Sequence, residues 1–291
     1  MQPASSTAKA RSQFIGAMVM FGTIGIFVRH IPLSSSVIAV SRGIIGTLFL
    51  LLLTRLRKKK LDFAAIRRNI VLLLISGACI GVNWILLFES YRYTTVATAT
   101  LCYYMAPIFV ILAAPLLVHE KLTVKKLLCV AAAMVGMVLV SGVLETGISS
   151  LSEIKGICCG VGAAAFYASV ILMNKKFKDI SAYDRTILQL AQASVVLLPY
   201  TLLTESVALG DLTPTAILML LFVGVFHTGL TYVLYFGSMQ DLSAQNIALF
   251  SYIDPIVAII LSALLLQEPF TLFSLIGAVL ILGAALVSDL T

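Results

Sequence analysis

About ten apolar segments, each close to 20 residues long, make up most of this 291-residue chain and are joined by short connections. A helix of about 20 apolar residues is long enough to cross the roughly 30 Å hydrocarbon core of a bilayer. Only 11% of the residues are charged, whereas soluble domains carry about 25%. We therefore expect an all-α, polytopic membrane protein with ten transmembrane helices. The predicted spans are 13–30, 34–54, 69–90, 95–118, 124–143, 155–174, 184–204, 214–237, 243–266 and 270–288.

The basic residues are unevenly distributed between the connections. The N-terminal tail and the connections after the second, fourth and sixth spans together hold 16 of the 20 Lys and Arg residues. Because cytoplasmic connections are enriched in Lys and Arg, this bias predicts that both termini are cytoplasmic. Topology thereby explains the net charge of +7, and we expect no nucleic-acid partner.

The five cysteines lie inside the predicted spans and lack the spacing of a disulfide framework or a zinc site. We interpret them as small packing residues and expect neither a metal ion nor a cofactor. The first apolar segment has no clear small-residue cleavage site, so we expect a retained helix rather than a signal peptide.

One stretch of the chain occurs twice, 148 residues apart. Tyr-Met-Ala-Pro at 104–107 leads to Glu120, and Tyr-Ile-Asp-Pro at 252–255 leads with the same spacing to Glu268. Duplicated membrane bundles are most often transporters. A repeat of five helices would be inverted in its second copy, because five is an odd number. The expected organisation is a first repeat with a cytoplasmic N-terminal tail at 1–143, an external connector at 144–154, and a second repeat at 155–291.

The prolines of the fourth and ninth spans, with His-Glu-Lys-Leu-Thr at 119–123 and Gln-Glu-Pro-Phe-Thr at 267–271, resemble the EamA family. That family belongs to the drug/metabolite transporter superfamily, and the resemblance covers essentially the whole chain. It implies a bacterial inner-membrane transporter with a central cavity. Such proteins usually export amino acids, related metabolites or toxic organic compounds.

Asp254 lies near the middle of the ninth span and directly precedes Pro255. A charge near the bilayer centre costs roughly 2.5–3.5 kcal/mol on insertion scales, so Asp254 should face a cavity, find a partner or be protonated. One alternative is that it binds a proton or a cationic group of the substrate. The other is a structural role, in which it bonds to backbone freed by Pro255 or pairs with a buried arginine. On an ideal helix it projects about 160° from Tyr252, so the two line one wall only if Pro255 distorts the helix.

Arg42, inside the second span, is the other charge expected within the membrane. It either receives a substrate carboxylate, neutralises Asp254, or extends to the outer surface.

On the eighth span, His227, Thr231 and Tyr235 recur at i, i+4 and i+8, which predicts one polar and aromatic face. Aromatic residues with few polar groups favour amphipathic or cationic organic ligands. The predicted substrate-binding or cavity residues are Arg42, Asn83, Trp84, Tyr104, His227, Thr231, Tyr232, Gln245, Tyr252 and Asp254, with Asp254 as the coupling candidate.

Two matched pairs of residues complete the prediction. Pro107 and Pro255 each remove a helical hydrogen bond, so we expect kinks at a binding site or a gate, with ordinary packing as the alternative. Glu120 and Glu268 lie where one helix ends and the next begins. We expect both to cap the helix that follows them, with ion coupling as the alternative.

The leading functional hypothesis is a secondary active transporter that exports small organic metabolites, such as amino acids, amines or related drugs, by alternating access. Proton coupling through Asp254 is one alternative, and an uncoupled facilitator or importer is the other. The chain has no P-loop for direct use of ATP, and its scattered histidines make a lipid-modifying enzyme a remote alternative. The expected partners are a small-molecule substrate, the lipid bilayer and, in the coupled case, protons. A monomer is compatible with this plan.

Overall fold

The computed structural model describes residues 4–28, 30–94, 96–141, 151–205, 212–265 and 272–289. Within these ranges the chain is helical and contains no β-strand. The helices are α1 (Ala4–Val28), α2 (Ser35–Leu56), α3 (Phe63–Tyr93), α4 (Val96–Tyr103), α5 (Ala106–Leu117), α6 (Val124–Ser141), α7 (Leu151–Asn174), α8 (Ala182–Thr204), α9 (Pro214–Phe222), α10 (Thr231–Ser238), α11 (Ala244–Phe250), α12 (Ile253–Leu265) and α13 (Leu272–Asp289). A π-helical segment, Val223–Leu230, joins α9 to α10.

Seven helical stretches of the described chain are long and apolar enough to cross a membrane. They coincide with the first four predicted spans and with the sixth, seventh and eighth. The other three predicted spans hold α6, the broken pair α11 and α12, and α13. The seven stretches are Thr7–Val28, Ser35–Leu56, Phe63–Tyr93, Thr98–Leu117, Glu153–Asn174, Ala182–Thr204 and Pro214–Ser238.

Large apolar side chains lie on the outside of the described bundle. Leu203, Leu116 and Val124 are 86%, 80% and 76% exposed. Contact with water would be unfavourable by about 25 cal/mol for each Å² of such surface, and contact with lipid tails avoids this loss. The protein is therefore a multi-pass helical membrane protein.

Polar residues fix the beginnings of several helices. Each accepts a hydrogen bond from the backbone N–H three residues later, which satisfies one of the donors left free at a helix start. The distances between oxygen and nitrogen are 2.9 Å for the cap of α3, 3.0 Å for α8, 3.2 Å for α9 and 3.1 Å for α11. The capping residues are Asp62, Ser181, Thr213 and Ser243.

Small residues allow α2 and α3 to lie close to their neighbours. α3 packs against α7 and α8, and α2 packs against α8 and the π-helical segment. A Cβ atom on Gly81 of α3 would lie 2.9 Å from the carbonyl oxygen of Ala193 on α8. A Cβ atom on Gly46 of α2 would lie 3.1 Å from the carbonyl oxygen of Gly224. These positions therefore need glycine, and the close contacts fix the two helices that carry Arg42 and Trp84.

The two copies of the repeated motif both interrupt a helix. Residues 104–105 separate α4 from α5 just before Pro107, and residues 251–252 separate α11 from α12 just before Pro255. Proline has no N–H to donate to the preceding turn. The interruptions thus lie within one residue of equivalent positions of the repeat, beside the prolines at which kinks were predicted.

Candidate functional site

A cavity of about 280 Å³ lies between α1, α2, α3, α4, α7, α10 and the break between α11 and α12. On α3 its wall runs from Ile80 to Tyr91, in the C-terminal half of that helix. On α2 it includes Arg42, in the N-terminal third. The cavity therefore reaches toward the end of the bundle at which α2 begins and α3 ends, and it extends past the middle of α7 to Val170. Its lining residues are Phe21, Ile24, Arg42, Ile80, Asn83, Trp84, Leu87, Phe88, Tyr91, Thr100, Tyr103, Tyr104, Tyr167, Val170, Tyr232, Tyr235, Phe236, Ser251 and Asp254.

Arg42 brings a positive charge to the cavity wall. Its guanidinium carbon lies 4.7 Å from the centre of the Trp84 ring, a distance that permits a cation–π interaction. Its Nε atom is buried without a hydrogen-bond partner. No salt bridge joins it to Asp254, the other charged residue on this wall. The guanidinium is thus oriented by an aromatic ring and not neutralised by a described carboxylate.

Asp254 is held by the first copy of the repeated motif. The hydroxyl of Tyr104 donates to Oδ2 of Asp254 at 3.2 Å. The hydroxyl of Tyr252 in turn donates to the backbone carbonyl of Tyr104 at 3.1 Å. The tyrosines at equivalent positions of the two copies are therefore joined, and one of them orients the acid.

Aromatic rings form much of the remaining wall. Tyr103 and Tyr167 stack with 5.4 Å between their ring centroids and 12° between their planes. The hydroxyls of Tyr167 and Tyr235 lie 2.7 Å apart, within hydrogen-bond distance. Phe21 meets Tyr232 edge-on at 5.1 Å. Such a wall binds apolar and planar groups, while the two charges orient the polar ends of a ligand.

The opposite end of the bundle is packed shut by aromatic side chains. Phe14, in the N-terminal half of α1, is fully buried. Its ring centroid lies 5.3 Å from that of Tyr235 and 6.4 Å from that of Phe250. Because Tyr235 also lines the cavity, these three rings form a floor between the cavity and this end.

Basic side chains hold the backbone beyond this floor. Arg185, which is 1% exposed, donates to the carbonyl of Phe236. The ammonium of Lys175 donates to the carbonyls of Met239 at 3.1 Å and Gln240 at 3.3 Å, and burial lowers the pKa of Lys175. The carbonyls at the end of α10, which have no partner within the helix, are satisfied in this way.

Comparison with known proteins identifies the group to which this architecture belongs. The model of the EamA-like transporter family matches residues 10–142 and again residues 154–288. The chain belongs to the EamA-like transporter family. This confirms the resemblance drawn from the repeated motif, and it makes the protein a membrane transporter.

Individual relatives of this EamA-family protein agree. It is 31% identical over 290 residues to the uncharacterized transporter YxxF of Bacillus subtilis, covering 96% of this chain and 90% of that protein. It is 26% identical to the uncharacterized transporter YoaV of the same organism, with 80% and 79% covered. It is also 26% identical to protein PecM of Dickeya dadantii, with 74% and 72% covered. The family and the names of the two Bacillus subtilis proteins indicate transport rather than catalysis.

A solved crystal structure has the same fold as this EamA-family protein. The TM-score is 0.83, and the match covers 99% of this chain and 98% of that chain. The sequences are only 15% identical, so the likeness extends to the fold alone.

Six of the predicted site residues of this EamA-family protein line the cavity, namely Arg42, Asn83, Trp84, Tyr104, Tyr232 and Asp254. Asn83 also has a structural contact, because its Nδ2 atom donates to the carbonyl of Ala163 on α7 at 2.6 Å. The other four are buried away from the wall. They are His227, Thr231, Gln245 and Tyr252.

The polar face predicted for the eighth span is not formed, because this span contains the π-helical segment. His227 pairs through Nε2 with the hydroxyl of Thr23 at 2.8 Å. Thr231 donates to the carbonyl of Phe226, five residues earlier, at 2.7 Å. A π-helix bonds residues five apart rather than four, so an i, i+4, i+8 spacing does not keep one face across it. Only Tyr235 of the predicted stripe reaches the cavity.

Gln245 and Tyr252 have contacts that join the two copies of the repeat. Gln245 donates through Nε2 to the carbonyl of Lys121 at 3.2 Å, and Tyr252 donates to Tyr104. With Asp254 on the wall and Tyr252 away from it, the two residues face apart, as the helical spacing predicted. In the first copy, both Tyr103 and Tyr104 line the cavity, because the helix ends between them.

Glu120 is a helix cap, but for a different helix than predicted. Its Oε1 atom accepts from the N–H of Ala244 at 2.7 Å, and its Oε2 atom accepts from the N–H of Gln245 at 3.3 Å. It therefore caps α11 in the second copy, whereas the hydroxyl of Thr123 caps α6, the next helix in sequence. Glu268 lies outside the described residues.

Several cavity residues were not predicted from the sequence. They come from five different helices and from the break before α12, so no single helical face contains them. The signal that could have found Tyr167 is an aromatic hydroxyl inside a predicted span, whereas Tyr91 lies just beyond the predicted end of the third span. These residues include Phe21, Ile24, Tyr91, Thr100, Tyr167 and Ser251.

Proposed function

We propose that this EamA-family protein is a secondary active transporter that exports small organic metabolites by alternating access. The observation that carries the proposal is a cavity inside the bundle, lined by aromatic rings and by two opposite charges that do not pair with each other. A packed aromatic floor closes its other end. One state of an alternating-access cycle requires a substrate-sized space that is blocked on one side.

A ten-helix inverted repeat is part of this proposal. The family model matches twice along the chain. The helix contacts also correspond when the halves are exchanged: α3 against α7 corresponds to α10 against α1, and α3 against α8 to the π-helical segment against α2. The contact of α12 with α1 corresponds to that of α5 with α7. This correspondence supports two structurally equivalent halves with the substrate site between them.

The proposed orientation follows from the charge distribution of the sequence, and export is the direction that we propose with it. With both termini cytoplasmic, as the Lys and Arg bias predicts, the cavity faces outward and the aromatic floor faces the cytoplasm. The membrane in question is then the bacterial inner membrane. Release of the ligand from the outward-facing cavity to the outside would be export. Import would use the same cavity with the opposite net direction of transport.

The cavity chemistry favours amino acids, amines or related drugs as substrates. Its volume suits a small organic molecule, and its walls offer stacking surfaces. Arg42 can receive a carboxylate, and Asp254 can receive an ammonium group or a proton. Asp254 is the described carboxylate on the wall, which makes it the coupling candidate. An uncoupled facilitator is the alternative if Asp254 serves only to hold a cationic group.

Trp84 makes binding directly measurable, since it is the single tryptophan of the chain and lines the cavity. We would titrate purified protein with amino acids, polyamines, nucleosides and quaternary ammonium compounds, and follow Trp84 fluorescence together with the unfolding temperature. A ligand at 100 times its Kd should add about 2.7 kcal/mol of stability. Each hit would then be tested for uptake into proteoliposomes under an imposed pH gradient.

Asp254→Asn is the decisive variant, and Asp179→Asn is its matched control on the surface, where Asp179 pairs with Arg68. Proton coupling predicts that Asp254→Asn loses the dependence of transport on the pH gradient while Asp179→Asn keeps it. Unchanged gradient-driven transport in Asp254→Asn would exclude this residue as the coupling group. Transport that never depends on the gradient, even in the wild type, would favour the uncoupled alternative. No transport of any hit would contradict the proposed function itself.

A further inference from the structure

A groove on the outside of the bundle combines basic and apolar side chains. It has a volume of about 320 Å³ and lies where the N-terminal part of α3 meets the connection between α7 and α8. It shares no lining residue with the central cavity. We call it the basic groove, and its lining residues are Arg68, Asn69, Val71, Leu72, Ile75, Lys176 and Lys178.

Two hydrogen bonds to one side-chain amide fix the connection at this groove. Asn69 is buried, and its Nδ2 atom donates to the carbonyl of Lys178 at 2.9 Å. The N–H of Lys178 donates back to Oδ1 of Asn69 at 3.2 Å. Phe177 and Ile180 on either side are buried in a small apolar cluster with residues of α3. The backbone that carries Lys176 and Lys178 is therefore held against α3.

The apolar part of the groove is a stripe on α3 that begins at Arg68. Val71, Leu72 and Ile75 follow at i+3, i+4 and i+7, the spacing of one helical face. Val71 is 67% exposed and Ile75 is 50% exposed. Because a helix rises 1.5 Å per residue, the stripe extends about 10 Å from Arg68 into the membrane-spanning part of α3.

The charges at the head of the stripe are mostly positive. Arg68 is paired with Asp179 at 3.0 Å. Lys176 and Lys178 are exposed, and no described carboxylate forms a salt bridge with either. Two lysines therefore lie at the membrane surface directly above a lipid-facing apolar stripe. A phosphate group with an attached acyl chain matches this arrangement in both charge and polarity.

We propose that the basic groove binds an anionic phospholipid. Its headgroup phosphate lies between Lys176 and Lys178, and one acyl chain follows Val71, Leu72 and Ile75. The site is independent of the transported substrate, because it shares no residue with the central cavity. Bound lipid would hold the connection between α7 and α8 against α3, beside the end of the bundle where Lys175 and Arg185 bind the end of α10.

Native mass spectrometry of the detergent-purified protein tests the site. Dioleoyl phosphatidylglycerol and dioleoyl phosphatidylcholine would be titrated separately, since they share acyl chains and differ in net charge. The Lys176→Gln/Lys178→Gln variant should bind phosphatidylglycerol about 25-fold more weakly than the wild type, or about fivefold for each lysine. The Lys176→Arg/Lys178→Arg variant should bind it as the wild type does.

The control variant Lys59→Gln/Lys60→Gln removes the same charge from exposed residues of the connection between α2 and α3. It should keep the preference for phosphatidylglycerol. An equal loss in both double variants would mean general attraction to a basic surface and would overturn the site. So would an unchanged affinity in Lys176→Gln/Lys178→Gln.

Two further experiments identify the molecule that binds in the basic groove. Glycerol 3-phosphate, which lacks acyl chains, should neither bind nor displace phosphatidylglycerol at millimolar concentration. Displacement by it would make the occupant a free phosphate compound rather than a lipid. Val71→Asn/Ile75→Asn should weaken phosphatidylglycerol several-fold, and full affinity in that variant would overturn the acyl-chain placement.

Discussion

Arg42 and Arg185 both lie inside the bundle near an aromatic ring, and they differ in their bonds to backbone carbonyls. Arg185 lies at the closed end, where it donates to the carbonyl oxygens of Phe236 and Asn174. Arg42 lies at the cavity, where its described contact is the face of Trp84. An arginine whose N–H groups donate to backbone carbonyls stabilises the fold. Arg42, whose described contact is an aromatic ring, has N–H groups that a ligand can use. Burying these N–H groups without a partner is unfavourable, so a ligand that accepts from them would be bound more tightly.

The same contrast holds for the acids. Glu120 at the closed end accepts from two backbone N–H groups of α11. Asp254 at the cavity accepts from the hydroxyl of Tyr104. The two ends of the molecule thus use the same residue types for different purposes. Charges that bind backbone close the bundle, and charges that meet aromatic side chains line the space in which a substrate can bind.

The largest expected effects separate the two arginines. Arg42→Gln should weaken a carboxylate-bearing ligand from the fluorescence screen by about 10- to 150-fold, because a hydrogen bond to a charged group contributes about 1.5–3 kcal/mol. Its unfolding temperature should stay close to that of the wild type. Arg185→Gln should instead unfold at lower temperature, because buried carbonyls lose a charged donor. Ligand titrations and thermal unfolding in detergent measure both quantities.

Arg68→Gln, at an exposed arginine, is the control for a general change of charge. The comparison fails if Arg42→Gln binds the ligand normally, or if it loses as much stability as Arg185→Gln does.

The tyrosines of the repeated motif should show a smaller contrast. Tyr104→Phe keeps the ring but removes the donor to Asp254, so we expect ligand affinity to fall several-fold with little change in stability. Tyr252→Phe removes the donor to the carbonyl of Tyr104 and should lower the free energy of unfolding by about 1 kcal/mol. Affinity and unfolding temperature, measured side by side, test this. The reverse result would mean that Tyr252, not Tyr104, serves the cavity.

The smallest expected effect concerns the cap of α11. Glu120→Ala should lower the free energy of unfolding by about 0.5–2 kcal/mol, the usual effect of losing a helix cap, and it should leave ligand affinity unchanged. Thermal unfolding measures the loss, with Thr123→Ala as a matched change at the cap of α6. If Glu120→Ala altered the gradient dependence of transport without affecting stability, the acid would be an ion-coupling group instead.

The helical membrane architecture could be predicted because it depends on local apolar composition. Long apolar segments predicted ten spans, of which seven coincide with stretches long and apolar enough to cross a membrane, and unusual charges pointed to Arg42 and Asp254. Both lie on the cavity wall. These predictions needed no knowledge of how the helices pack, since a charge inside an apolar segment already requires a polar or solvated surrounding.

Other parts of the site could not be predicted because they depend on irregular backbone or on distant contacts. His227 and Thr231 were misplaced because a π-helical segment changes the helical spacing. Glu120 was predicted to cap the next helix in sequence, whereas in the fold it caps α11, 124 residues further along the chain. Tyr91 and Tyr167 line one cavity only after α3 and α7 have packed, and no spacing within one segment encodes that.

The repeated motif also makes the two halves unequal. Tyr104 reaches the carboxylate of Asp254, whereas the residue equivalent to Asp254 in the first copy is Ala106. If the halves exchanged roles during transport, Tyr252 would face an alanine and gain no charged acceptor. The two arrangements would then differ by one charged hydrogen bond, or about 1.5–3 kcal/mol. Without a ligand, the molecule would rest in one arrangement about 10 to 150 times more often than in the other.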